Sequence, residues 1–137
     1  MDRCVLPRTL VEVRVLVVDD SFAVRVRVCA MLREYPFVAV VWDADSARDA
    51  LTIARENQPD IVVLDVHMPD ASGHTIIPQL VALDARPAII VMTNDPTRAH
   101  QRESLALGAH HFLDKSRNFG ELGAIIEAIA AVRRRGA

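Results

Sequence analysis

The chain has 137 residues, 51% of them hydrophobic and 25% charged, which suits one compact domain with its own core and speaks against two. Its formal net charge of −2 excludes the global positive field that holds nucleic acid or an anionic membrane, so any bound anion must be held locally. Apolar runs such as Ile61-Val62-Val63-Leu64 fall far short of the about 20 residues that span a bilayer, and Cys4 and Cys29 form neither a CxxC pair nor a metal cluster.

Residues 1–12 read as a loose N-terminal arm, in which Pro7 and Glu12 interrupt the apolar content and leave no h-region of a secretory signal. The first predicted strand is Val13–Val18. In the segment that follows, Phe22, Val24, Val26 and Val28 alternate with polar positions as in an exposed strand. A helix is nevertheless predicted there, because Val24, Val28, Met31 and Leu32 also make a helical stripe and a parallel sheet needs a crossover. Phe37–Trp42 is the second strand. Asp45 or Ser46 caps a helix that runs through Asn57, with Ala47, Ala50, Leu51 and Ala54 on one stripe and Pro59 as its stop. Asp60–Leu64 is the third strand, followed by a short helix that Pro78 is expected to bend or delay. Ala88–Met92 is the fourth strand, Thr97–Leu107 a helix ended by Gly108, His110–Leu113 a weaker fifth strand that suits a sheet edge, and Phe119–Arg135 the last helix. The first four strands are apolar almost throughout, the mark of strands covered on both faces of a parallel sheet. The pattern is β-α five times over, an α/β domain across residues 13–135 with no output domain after it.

Ligands of an open parallel sheet bind outside the carboxyl ends of the strands. Strand one ends at Asp19-Asp20-Ser21, strand three at Asp65, strand four at Thr93-Asn94 and strand five near Lys115. Each alone has an ordinary explanation: a turn, a polar loop, a strand-closing threonine, a surface lysine. Together they bring three carboxylates, a hydroxyl and an ammonium to one crevice. Carboxylates that crowded must share protons or be neutralised by cations. Magnesium suits the place, since it takes oxygen ligands from one or two carboxylates and from phosphate. Three carboxylates contribute −3; the metal and Lys115 return +3, which leaves a site able to accept a phosphoryl group. Lys115 is the one lysine among 16 basic residues, and a compact ammonium meets a phosphoryl oxygen differently from a planar guanidinium.

These residues resemble the receiver domain of two-component response regulators, of the flavodoxin-like fold. The resemblance rests on Val15-Leu16-Val17-Val18-Asp19-Asp20-Ser21, on the run from Pro59 through Asp65 and Met68-Pro69-Asp70 to Gly73, on Ile89-Ile90-Val91-Met92-Thr93-Asn94, and on Leu107-Gly108-Ala109 with Phe112-Leu113-Asp114-Lys115. It implies a five-stranded parallel sheet of order 2-1-3-4-5. It also implies that Asp65 accepts a phosphoryl group from a sensor histidine kinase or a histidine phosphotransfer protein in a bacterial cytoplasm. The domain would then be an enzyme only toward itself, catalysing its own phosphorylation and dephosphorylation. Mg²⁺ or Mn²⁺ would be held by Asp20, Asp65 and the backbone carbonyl of His67, with Asp19 acting through water. Thr93 and Lys115 would hold phosphoryl oxygens, and Thr93 and Phe112 would switch the face of helix four, strand five and helix five toward a downstream protein or a second copy of the chain. His67 and Asn94 would tune the lifetime of the phosphoaspartate.

The chain departs from the pattern in two places that bear on the switch. Phe112 lacks the hydroxyl of the more frequent tyrosine. Ser116 replaces a common proline, which argues against a cis peptide and predicts a more mobile loop. His67 stands where haloacid-dehalogenase-type phosphatases carry a second Asp. A flavin or nucleotide protein of the same fold would need a phosphate-cradling glycine loop after strand one, where Asp19-Asp20-Ser21 would repel phosphate. Arg133-Arg134-Arg135 reads as a solvated helix end, so direct DNA binding is not expected. His74, His100, His110 and His111 read as structural or surface residues. The remaining rival is a phosphorylation-independent interaction module of the same fold, against which the intact acidic cluster argues.

Overall fold

The computed structural model describes residues 12–70 and 72–136, with side chains through Arg133. The N-terminal arm expected over residues 1–12 lies, but for Glu12, outside the described residues. Five strands, β1 (Val13–Val18), β2 (Val38–Ala44), β3 (Ile61–Leu64), β4 (Ala88–Thr93) and β5 (His111–Asp114), alternate with α1 (Phe22–Arg33), α2 (Ala47–Asn57), α3 (Gly73–Val81), α4 (Arg98–Leu107) and α5 (Leu122–Gly136). All neighbouring pairs are parallel, and the sheet order is β2-β1-β3-β4-β5. This is the flavodoxin-like arrangement the sequence implied.

Period-two alternation in the central strands builds two cores. Val13, Val15 and Val17 of β1 point with Ile61, Val63, Ile90 and Met92 toward α1 and α5, where Val28, Leu32, Leu122 and Ile126 meet them. Leu16 and Val18 point with Val62, Leu64, Ile89 and Val91 to the opposite face, against Ala50 and Ala54 of α2 and Ile76, Ile77 and Leu80 of α3. Each fully buried Leu or Ile contributes about 1.5–3 kcal/mol by leaving water. Alanines on the buried stripe of α2 let that helix approach the sheet closely.

The ambiguous first segment is helical, and its stripe falls as predicted: Val28 and Leu32 are buried, Val24 and Met31 half-buried, while Phe22 and Val26 face solvent. Hydroxyl caps start four of the helices, Ser21 on Val24 N, Ser46 on Asp49 N, Ser72 on His74 N and Thr97 on His100 N. Gly108 ends α4 at φ 121°, where a side chain would be strained. A 3₁₀ turn, Phe119–Glu121, replaces the start of the predicted last helix.

Two expectations need correction. β2 is not covered on both faces: Ala39, Val40 and Asp43 are exposed, Val38, Val41 and Trp42 half-buried, and the strand runs to Ala44 rather than stopping at Trp42. At the sheet edge it has a neighbour on one side only, a position that apolar composition does not reveal. Pro78 does not delay α3, which runs from Gly73 with Ser72 as its cap; the proline ring faces solvent, and the helix ends at Val81. β5 is the opposite edge, as expected, and His110 extends its ladder by a side chain, Nδ1 accepting from Ile89 N at 3.0 Å.

Gly73 sits where α3 begins against the end of β3. A Cβ there would lie 2.7 Å from Val66 Cα and 2.8 Å from the Asp65 carbonyl oxygen, backbone atoms that cannot turn aside. Gly73→Ala is expected to destabilise the domain by about 1–3 kcal/mol, read as a lower urea midpoint with an unchanged slope; an unchanged midpoint would show that the loop yields freely.

Candidate functional site

The carboxyl ends of β1, β3, β4 and β5 meet at one edge of the sheet, and the residues picked out from the sequence lie there together. One carboxylate oxygen from each of Asp19, Asp20 and Asp65 lies within 4.8 Å of the others. Asp19 and Asp65 are buried, at 3% and 6% exposure, whereas Asp20 faces solvent. Lys115 reaches across from the end of β5. Its Nζ donates to Asp65 Oδ2 at 2.7 Å and also pairs with Asp19 Oδ2.

Electrostatics follow from that burial. Desolvation pushes the Asp19 carboxyl above its ordinary value, and hydrogen bonds from Lys115 and from Ser21 N offset only part of the rise. Burial works against the charge on Lys115 too, but its bonds to Asp19 and Asp65 outweigh that and hold the ammonium above the usual lysine value. The second oxygen of each buried carboxylate is also occupied: Asp19 Oδ1 accepts from Ser21 N at 2.9 Å, and Asp65 Oδ1 from His67 N at 3.0 Å. The acceptor oxygens are therefore oriented by fixed donors.

Thr93 closes β4 fully buried, and its hydroxyl accepts from Asp95 N at 3.1 Å, which leaves the O–H proton to donate. Asn94 is exposed and lines a cavity of about 150 Å³ with Lys115, Met92 and Phe119. Phe112 on β5 is half-buried and packs against the core shared with α2 and α3. The His67 side chain is exposed and turned toward Asp95, 3.8 Å away. The loop after β5 is tied down: Asp114 Oδ1 accepts from Ser116 N at 2.9 Å and Ser116 Oγ at 2.7 Å, and Asn118 Oδ1 accepts from Asp114 N. Side-chain bonds stand in for the missing proline, and among the described residues no peptide is cis.

Two positioning residues were not picked out from the sequence. Asp70 Oδ1 and Oδ2 accept from Ala47 N and Arg48 N at 3.0 and 3.1 Å, so the loop that follows Asp65 is latched to the positive end of α2. A carboxylate just after the end of β3 was a visible signal, but its target lies 23 residues away. Arg25 Nη1 donates to the Asp19 carbonyl at 2.8 Å while Nε pairs with Asp43 at 2.9 Å, which joins the ends of β1 and β2. Among the other histidines, His74 is buried, Nε2 2.8 Å from Ser104 Oγ and Nδ1 3.1 Å from Glu103, and so ties α3 to α4. Burial holds its pKa below the ordinary value.

The donor set fits a hard divalent cation, since three carboxylates converge at an open edge and one of them, Asp20, is accessible. Together the sheet and its acidic edge define an α/β protein with a carboxylate crevice at the carboxyl ends of its strands. The family model of the response regulator receiver domain matches residues 15–127, and the chain belongs to that family. It is 38% identical over 122 residues to protein-glutamate methylesterase/protein-glutamine glutaminase 2 of Anaeromyxobacter dehalogenans, a match that covers 85% of this chain and 35% of that protein. Among solved structures, a two-component response regulator of the LuxR family from Aurantimonas superposes with a TM-score of 0.80 at 32% identity, covering 88% of this chain and 86% of the other. The chemotaxis protein CheY4 of Vibrio cholerae gives a TM-score of 0.77 at 26% identity, covering 86% and 98%. The chain spans between about a third and about a half of the length of the curated relatives it matches. Among the described residues no helix is long and apolar enough to cross a membrane.

Removing the Lys115 ammonium leaves Asp19 and Asp65 buried without their cation. Lys115→Ala is therefore expected to cost about 3 kcal/mol or more without divalent ions, and much less when Mg²⁺ is present to take over the neutralisation. Urea midpoints with and without Mg²⁺ check this; a deficit that Mg²⁺ does not narrow would contradict the ion-binding reading of the crevice.

Proposed function

We propose that this chain is a phosphorylation switch whose acceptor is Asp65. The donor is a phosphohistidine on a sensor histidine kinase or a histidine phosphotransfer protein, and the setting is the bacterial cytoplasm. Asp65 carboxylate oxygen attacks phosphorus, the P–N bond breaks, and its electron pair stays with the donor imidazole, leaving an acyl phosphate on Asp65. The observation that carries the reading is the Lys115 Nζ to Asp65 Oδ2 bond of 2.7 Å inside the acidic edge, which keeps a compact cation beside the atom where phosphoryl charge arrives. Phosphoryl transfer needs little covalent help from a protein; position and charge neutralisation supply the rate.

Asp20 and Asp65, with the backbone carbonyl of His67, would hold Mg²⁺ or Mn²⁺, and Asp19 would act on it through water. When bound, that ion neutralises charge on the phosphoryl oxygens. Lys115 moves its donation from the carboxylate to a phosphoryl oxygen, and the Thr93 hydroxyl donates its free proton to another. Thr93 then relinquishes its bond to Asp95 N, the β4–α4 loop shifts, and Phe112 turns further inward to re-pack the α4-β5-α5 face. A phenylalanine contributes packing to that movement and no hydrogen bond. Water attacking phosphorus on the acyl phosphate reverses the state, and His67 and Asn94, at the mouth, tune that rate. Within these residues the output is the switched face itself, read by a protein partner or a second copy of the chain, or the phosphoryl group is relayed onward; no direct contact with DNA is part of the proposal.

Acetyl phosphate with Mg²⁺ should add one phosphoryl group to the wild-type chain and none to Asp65→Asn, by intact-protein mass spectrometry. A gain that survives Asp65→Asn would remove Asp65 as the acceptor, and a partner affinity indifferent to beryllofluoride would favour the phosphorylation-independent module. For His67→Ala the phosphoaspartate half-life, followed in Mg²⁺ alone, is expected to change severalfold; an unchanged half-life would leave His67 no tuning role.

A further inference from the structure

Three side chains that take no part in holding the phosphoryl group converge beside the acceptor crevice. His67 Nε2 lies 3.8 Å and His100 Nδ1 3.6 Å from the same oxygen, Asp95 Oδ2. One ligand atom from each of the three lies within 4.8 Å of the others. The two imidazoles meet edge to face, centroids 5.4 Å apart and planes at 66°. We propose that His67, Asp95 and His100 form a second cation site, specific for a divalent transition ion of borderline softness such as Zn²⁺, that bridges the β3–α3 loop and the start of α4.

Ligand chemistry separates this site from the acidic crevice. Two imidazole nitrogens and one carboxylate are the donors that Zn²⁺ and its neighbours in the first transition row prefer, whereas Mg²⁺ asks for oxygen alone. A tetrahedral Zn²⁺ holds its N and O ligands at about 2.0–2.2 Å, which places those ligands about 3.3 Å from one another. The observed 3.6 and 3.8 Å are a small side-chain rotation from that. Backbone movement is not required, because each ligand's amide is already fixed: His67 N on Asp65 Oδ1 at 3.0 Å, Asp95 N on Thr93 Oγ1 at 3.1 Å, and His100 N on Thr97 Oγ1 at 3.1 Å. Such preorganisation lowers the entropic cost of binding.

Access is open, with the His67 and Asp95 side chains more than half exposed, and a fourth position remains for water as in three-ligand zinc sites. One bond is exchanged. His100 Nδ1 now lies 2.9 Å from the Asp95 carbonyl oxygen, a contact in which Nδ1 carries the proton; coordination takes the other neutral tautomer, with the proton on Nε2, and gives that bond up. An ion held here joins the loop after Thr93 to the loop after Asp65, the two segments whose separation sets access to the acceptor.

The test is a calorimetric titration of the whole chain with ZnCl₂ in saturating Mg²⁺, which keeps the acidic crevice filled, paired with the visible absorption of Co²⁺ as a report of nitrogen ligands. One ion per chain is expected, with a dissociation constant on the order of micromolar. His67→Gln and His100→Gln should each weaken it by at least about tenfold, while Cys4→Ser leaves it unchanged. His67 is exposed and His100 half-buried, and an unaltered far-UV circular dichroism spectrum shows that the variants are folded. Binding that persists in the double variant, binding lost instead in Cys4→Ser, or no saturable binding below about 1 mM would each overturn the site.

Discussion

The contact on which the rest of the site depends is the Lys115 ammonium lodged between Asp19 and Asp65. Two carboxylates buried side by side would repel each other and resist ionisation. The ammonium between them offsets that repulsion and holds the two carboxylates in one fixed arrangement. Everything that fixes the position of that lysine belongs to the same device. β5 carries it at the sheet edge, the Asp114, Ser116 and Asn118 bonds hold the following turn, and the backbone bond from Lys115 N to the Thr93 carbonyl, 2.9 Å, aligns it with β4.

Sheet order explains the choice of residue types. β1 and β3 are neighbours, so short aspartates at their ends meet directly. β5 lies beyond β4, two strands away from β3, and only a long side chain reaches Asp65 from there. Thr93 on the intervening strand stands between them and is buried completely. A short hydroxyl there is tied to the β4–α4 loop by the bond it accepts from Asp95 N. Asp70, anchored on the first turn of α2, and Arg25, anchored on Asp43, hold the β1–β3 side of the crevice.

Histidines divide by the same geometry. His74 has become an interior tie between α3 and α4 through Ser104 and Glu103, and His110 lengthens the β4–β5 ladder. His67 and His100 share the Asp95 carboxylate at the mouth. Spacing along the chain does not distinguish these roles. His67 and Asp95 are separated by the whole of α3 and β4, and the passage of the chain through that crossover is what returns it to the same edge of the sheet.

By itself the sequence determined the five strands, the five helices and the residues at the strand ends, because apolar runs of strand length alternating with helical stripes imply parallel crossovers, which put every strand's carboxyl end on one edge. Asp19, Asp20, Asp65, Thr93 and Lys115 were legible for that reason. Tertiary structure alone decided which partners those groups take. That Lys115 joins Asp19 to Asp65, that Asp70 caps α2, that β2 lies half in solvent, and that His67, Asp95 and His100 share one point all depend on helix lengths and strand order. Asp70 reaches back 22 residues to Arg48 and Lys115 reaches back 50 to Asp65, and no local periodicity records a distance of that kind.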